Sequence, residues 1–231
     1  MRFIWEHNGD DTLLYSEECI GAFTRGANLD EAIEKIPDEI SSYLNWRKEP
    51  ALENITVEII QEKNSNLEIK DADSDIIFDT ETGPLTKEEY LQLKETVLQS
   101  ALDFYNLYLS VPDKKESCLP KRNTFYGSVP RTAQEMYEHT KNVNSYYFGE
   151  IGIDADNEGT IYECRKRGFE LLEKTEGFLD NPVFEGSYGE MWSLRKMMRR
   201  FLWHDRIHAK AMYRMAVETF GRDCVENVFG F

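Results

Sequence analysis

Two histidines four residues apart on one helix face can each place a nitrogen on the same metal ion. The chain holds such a pair in Trp203-His204-Asp205-Arg206-Ile207-His208. A third imidazole, His139, belongs to the same C-terminal half, while the remaining histidine, His7, stands far off near the N-terminus. Three imidazoles on one divalent ion leave a coordination position for water or substrate, as catalytic rather than closed structural sites do. Such an ion acidifies water to a pKa of roughly 7 and holds a thiol as thiolate. The competing use of the same side chains is a polar cluster within a helical core, hydrogen-bonded to tyrosines and backbone. An imidazole inside an apolar stripe needs one or the other, because an unsatisfied buried polar group costs roughly 1–3 kcal/mol. His7 is expected in a strand, at the surface or near a turn, and not as a ligand.

The elements that must hold these side chains are helices. Leu194, Met197, Phe201, His204, His208, Ala211 and Met215 recur at steps of three and four, forming the inward stripe of one long helix within Trp192 to Phe220. Thr132 and Glu135 make a capping box, and the helix they open carries Met136, His139, Val143 and Tyr146 or Tyr147 on one face. His139 therefore meets His204 and His208 if these two helices are neighbours. Thr86 and Glu89 cap a helix bearing Tyr90, Leu93, Val97, Ala101, Phe104 and Tyr108, which ends by Pro112. A further helix is expected over about 160–178, and residues 113–130 form a long loop of the kind that is often functional. Four helices thus account for the C-terminal half.

The N-terminal part is patterned differently. Residues 2–7 and 12–25 suggest short strands joined at the Asn8-Gly9-Asp10-Asp11 turn, and 55–60, 67–69 and 76–78 suggest further strands. Asn28 and Glu31 resemble a capping box for a helix running through Leu44, with Pro37 as a disturbance near its middle. The Gly83-Pro84 segment marks a natural break, giving domains over 1–80 and 86–231.

Composition narrows the function classes. With 41% hydrophobic and 13% aromatic residues in 231, the chain can fold around a sizeable core and is not disordered. No apolar run is long enough to span a bilayer, and residues 1–7 have no secretory pattern, which predicts a cytoplasmic protein with no membrane partner. A formal charge of −16 opposes phosphate-backbone binding, so nucleic acid is not the expected partner. Cys19, Cys118, Cys164 and Cys224 are scattered and read as reduced thiols, with Cys164 expected in the core.

Two resemblances extend this reading. The segment Cys19-Ile20-Gly21-Ala22-Phe23-Thr24-Arg25-Gly26-Ala27-Asn28-Leu29-Asp30-Glu31-Ala32 resembles the HicB-like fold, a partial ribonuclease-H-like α+β module, over roughly residues 1–75. The resemblance implies a scaffold or a protein-partner module here, since no DNA-binding segment accompanies it. Residues 86–231 resemble the DinB-like (YfiT-type) metal-binding four-helix bundles, through Pro130-Arg131-Thr132-Ala133-Gln134-Glu135-Met136-Tyr137-Glu138-His139 and through Trp203 to His208. The ligands this implies are His139, His204 and His208, holding a divalent ion. Zinc or nickel is expected first, and iron or copper also suit three imidazoles.

The implied chemistry is activation of a thiol or of water, as in a thiol S-transferase or hydrolase acting on a small molecule, with a low-molecular-weight thiol as a possible cofactor. Arg195, Arg199, Arg200, Arg206 and Arg214 gather on the last helix and are candidates for holding that thiol's carboxylates. The alternative is a non-enzymatic interaction or stress-response protein, with the N-terminal module binding a partner and the bundle forming a homodimer.

Overall fold

The computed structural model describes residues 1–125 and 127–231. The N-terminal part is built on four strands: β1 (Arg2–Asn8), β2 (Asp11–Ser16), β3 (Phe23–Gly26) and β4 (Glu58–Asn64). Their order is β3-β2-β1-β4, antiparallel except for the parallel β1–β4 pair. Because successive strand side chains point to opposite faces, the sheet contributes to two hydrophobic clusters. Phe3 and Leu14 enter the larger one, with Ala32, Ile36 and Ile40. Ile4, Leu13, Tyr15 and Phe23 enter the smaller one, with Ile69, Ile76, Phe78 and Trp203.

Several sequence expectations change here. The helix expected through Leu44 is two, α1 (Leu29–Glu34) and α2 (Ile36–Arg47). Pro37 stands in the first turn of α2, where its missing amide donor costs nothing, so it begins a helix instead of disturbing one. The expected strand at 55–60 lies further on, as β4. Residues 12–25 divide into β2 and β3 around a turn containing Gly21. The apolar triplets at 67–69 and 76–78 are not strands: Ile69 opens a short 3-10 turn, and Ile76 and Phe78 plug the smaller cluster from irregular backbone.

The C-terminal part contains α3 (Lys87–Ser110), α4 (Ala133–Gly149), α5 (Ile161–Leu172) and α6 (Leu194–Phe220). Helix α6 packs against both α3 and α4, and α5 against the same two. Capping boxes at Thr86/Glu89, Thr132/Glu135 and Thr160/Glu163 open the first three, and the Ser193 side chain caps α6. Helix α5 is shorter than expected. It stops at Leu172, and the chain then passes through left-handed Gly177 into a 3-10 turn. The long loop carries a small hairpin, β5 (Asn123–Thr124) with β6 (Gly127–Ser128), and a second one, β7 (Phe184–Glu185) with β8 (Met191–Trp192), precedes α6. Among the described residues, no helix is long and apolar enough to cross a membrane.

The larger cluster runs across both parts, joining Phe3, Leu14 and Ala22 to Val97, Phe104, Phe201 and Leu202. The segment at the expected break is docked as well, for Glu81 is buried against Arg199 of α6. Closest of all is Gly21, whose φ is +94° and whose missing Cβ would lie 2.5 Å from the Cβ of Leu202. Both the backbone conformation and the space exclude a side chain. Gly21→Ala is expected to destabilise the fold by about 2–4 kcal/mol, combining a left-handed-region penalty with overpacking, and urea unfolding of the variant beside the wild type measures it.

Candidate metal centre

Helix α6 turns Lys196, Arg199, Asp205 and Arg206 inward, and these buried charges set its rotation. Arg165 of α5 grips Asp205 at 2.6 and 3.1 Å, and Ser100 of α3 donates to the same carboxylate at 2.8 Å. All three of these side chains are fully buried. Toward the N-terminal part, Arg199 pairs with Glu81, Arg206 with Glu39 at 2.9 Å, and Lys196 donates to the Asp75 carbonyl at 2.7 Å while pairing with Glu190, just before the helix, at 2.9 Å. Lys210 also reaches Glu39, and Arg195 reaches Glu89 at 3.2 Å. Trp203 meets the sheet edge-on, with ring centroids 5.7 Å from Tyr15 and 6.0 Å from Phe23.

With α6 held in this way, His204 and His208 face α4, where His139 meets them. The ring centroids are 4.5 Å apart for His204 and His208, 4.6 Å for His139 and His208, and 5.1 Å for His139 and His204. One nitrogen from each ring can be chosen so that all three lie within 4.8 Å of one another. The Nε2 atoms of His139 and His204 are 3.2 Å apart. Two nitrogens bound tetrahedrally to zinc at about 2.0–2.1 Å are separated by about 3.3 Å, so this spacing suits a shared ion. The expectation that all three histidines converge is met.

Burial acts on all three imidazoles in the same direction. It depresses the His204 pKa well below the ordinary range, with His208, His139 and nearby arginines adding to the effect. His208 is lowered to about 3 by burial and by His139, and His139 is lowered by burial. Each ring is therefore neutral at pH 7, the form that ligates metal. No carboxylate belongs to the cluster among the described residues. Among the described residues the Nδ1 of His204 is buried without a hydrogen-bond partner, so none of them gives this ring the carboxylate support that often raises ligand basicity.

Other candidates are placed elsewhere. His7 stacks on Trp5 and bonds to the Gly9 carbonyl at 3.0 Å and to Glu62 at 3.2 Å, close to its turn and mostly buried rather than on the surface. Cys164 is buried, and burial raises its thiol pKa, so it packs the core as expected. Tyr147 lies beside the centre, 6.0 Å ring to ring from His204, whereas the Tyr213 ring lies 6.4 Å from Phe231 at a tilt of 49°. Of the five clustered arginines, Arg195, Arg199 and Arg206 are ion-paired within the chain, and Arg214 is exposed. The Arg165–Asp205–Ser100 tie escaped sequence reading. Its one signal was an aspartate set between two inward-facing histidines.

No family model, curated protein or solved structure matches the chain.

The imidazole shifts carry a definite pH dependence. A histidine whose folded pKa is depressed stays neutral in the native state while the unfolded chain takes up a proton below about 6.5, so stability falls as pH drops through that value. His208, lowered to about 3, is expected to cost the metal-free protein about 2 kcal/mol between pH 6.5 and 5. Unfolding curves across that window are expected to be flatter for His208→Gln than for the wild type.

Proposed function

We propose that His139, His204 and His208 bind one divalent metal ion and that the protein is a metal-dependent enzyme acting on a small molecule. The observation that carries this reading is the convergence of three neutral, largely buried imidazoles with nitrogens at metal-ligand spacing. A hydrogen-bonded core cluster is the weaker account, because His204 Nδ1 finds no acceptor and the close contact at Nε2 is with another imidazole. In family terms, α3–α6 would be a DinB-like four-helix bundle and the N-terminal sheet with α1 and α2 a HicB-like module.

A divalent ion at this position supplies Lewis acidity, enough to make water or a thiol nucleophilic near neutral pH. The chain's own contribution is to hold the three rings neutral and rigid and to wall them with Tyr147. A thiol S-transferase or hydrolase reaction fits that combination, with a low-molecular-weight thiol as one substrate. Zinc or nickel is the proposed ion.

Metal analysis after exposure to zinc or nickel is expected to give one ion per wild-type chain and a loss of at least about tenfold in affinity for His204→Ala. Stoichiometric metal retained by the variant would rule the assignment out.

One observation favours a second reading, in which the protein works through association with another copy of itself. Leu91, Leu102 and Leu109 of α3 are 48%, 38% and 54% exposed and lie on one side of the helix with Leu98. If that face joins two chains in a homodimer, sedimentation is expected to show a wild-type dimer and a Leu91→Lys/Leu102→Lys monomer. A monomeric wild type removes this reading.

A further inference from the structure

The cations of α6 are matched to carboxylates with one inward exception. Arg195, Lys196, Arg199, Arg206 and Lys210 each have a carboxylate partner. Arg200 has none within 4.0 Å among the described residues. Asp73 and Glu190 are within electrostatic reach of it, but neither closes to an ion pair, and Glu190 is held by Lys196 at 2.9 Å. Leaving a partly buried guanidinium without an anion is costly unless something else supplies the charge.

The surroundings of Arg200 hold it in place without neutralising it. Its Nη1 donates to the Ser74 carbonyl at 2.8 Å, and its Cζ lies 4.7 Å from the Trp203 ring, 5.6 Å from Trp192 and 5.7 Å from Tyr147. Its Nε is buried with no acceptor. The aromatic rings pack around the guanidinium, and no carboxylate among the described residues closes on it.

Position supplies the rest. Arg200, His204 and His208 follow one another at steps of four, so they run along one side of α6. Tyr147 stands between the first two, its ring 5.7 Å from the Arg200 Cζ and 6.0 Å from the His204 ring. Three neutral imidazoles bring no negative charge to a divalent ion, and Arg200 adds a further positive charge beside it.

We infer that Arg200 is the anion-binding residue of the three-histidine centre, and that the centre takes a small molecule carrying a carboxylate a short linker away from its metal-reaching group. The inference rests on the metal reading above. A guanidinium pairs with a carboxylate through charge-assisted hydrogen bonds, and Arg200 has no such partner among the described residues.

The test uses full-length protein loaded with cobalt(II), whose visible spectrum reports ligands entering the coordination sphere. Mercaptoacetate, mercaptopropionate and mercaptohexanoate are titrated against the matching mercapto-alcohols, which share the thiol anchor and lack the carboxylate. At least one acid is expected to bind about tenfold tighter than its alcohol. Arg200→Gln is expected to abolish that preference while still binding cobalt, and Arg214→Gln is expected to keep it. Phenylglyoxal labelling of Arg200 in the wild type, read by mass spectrometry, needs no variant, and the preferred acid is expected to suppress it where its alcohol does not. A wild type that binds no cobalt refutes the metal reading and this inference with it. Bound cobalt with no acid preference, a preference surviving Arg200→Gln, or labelling insensitive to the acid overturns the role of Arg200 alone.

Discussion

The buried ion pairs of α6 are the constraint on which the structure turns. A charge that has left water must meet its counter-charge in good geometry, and breaking such a pair costs several kcal/mol. Asp205 is tied to Arg165 and Ser100 on the helical side, while Arg199 and Arg206 are tied to Glu81 and Glu39 on the other. Any rotation or slide of α6 would strand at least one of these charges. The helix therefore has one permitted setting, and that setting turns His204 and His208 toward α4. Apolar packing alone would tolerate small slips along such a helix, whereas these directional contacts do not.

The same ties account for most of the positive charge of α6. The positive charges of α6 are mostly spent on carboxylates from the N-terminal part and from the loops that bracket the helix. What remains near the three imidazoles is one guanidinium and no carboxylate in the ligand cluster. Burial is the largest cause that keeps the rings uncharged, and neighbouring positive groups add to it.

Much of the helical part was legible in the sequence because its signals are local. Thr86 with Glu89 and Thr132 with Glu135 mark helix starts by a hydrogen-bonding exchange that spans three residues, and the stripe from Leu194 to Met215 repeats with the helical period. The histidine cluster followed, since two rings share one turn of α6 and the third sits on a capped helix. What could not be read depends on distant partners. Ile69, Ile76 and Phe78 look like strand fragments because a short apolar run has no period, and only the fold shows them plugging the cluster around Trp203. The arginines of α6 were indistinguishable in sequence. Glu39, Glu81 and Glu89, remote along the chain, separate the paired ones from Arg200.

Trp203 and His204 are adjacent in the chain but serve different neighbourhoods. The indole is packed edge-on against Tyr15 and Phe23 of the sheet, and the imidazole joins the cluster with α4. One peptide unit thus connects two bodies of structure, and their stabilities are thermodynamically linked. Whatever favours the seated indole also favours the aligned imidazole, and by reciprocity a ligand that prefers the aligned imidazole steadies the sheet by the same free energy. The N-terminal strands in this sense share in the free energy that aligns the cluster, although none of their described side chains belongs to it.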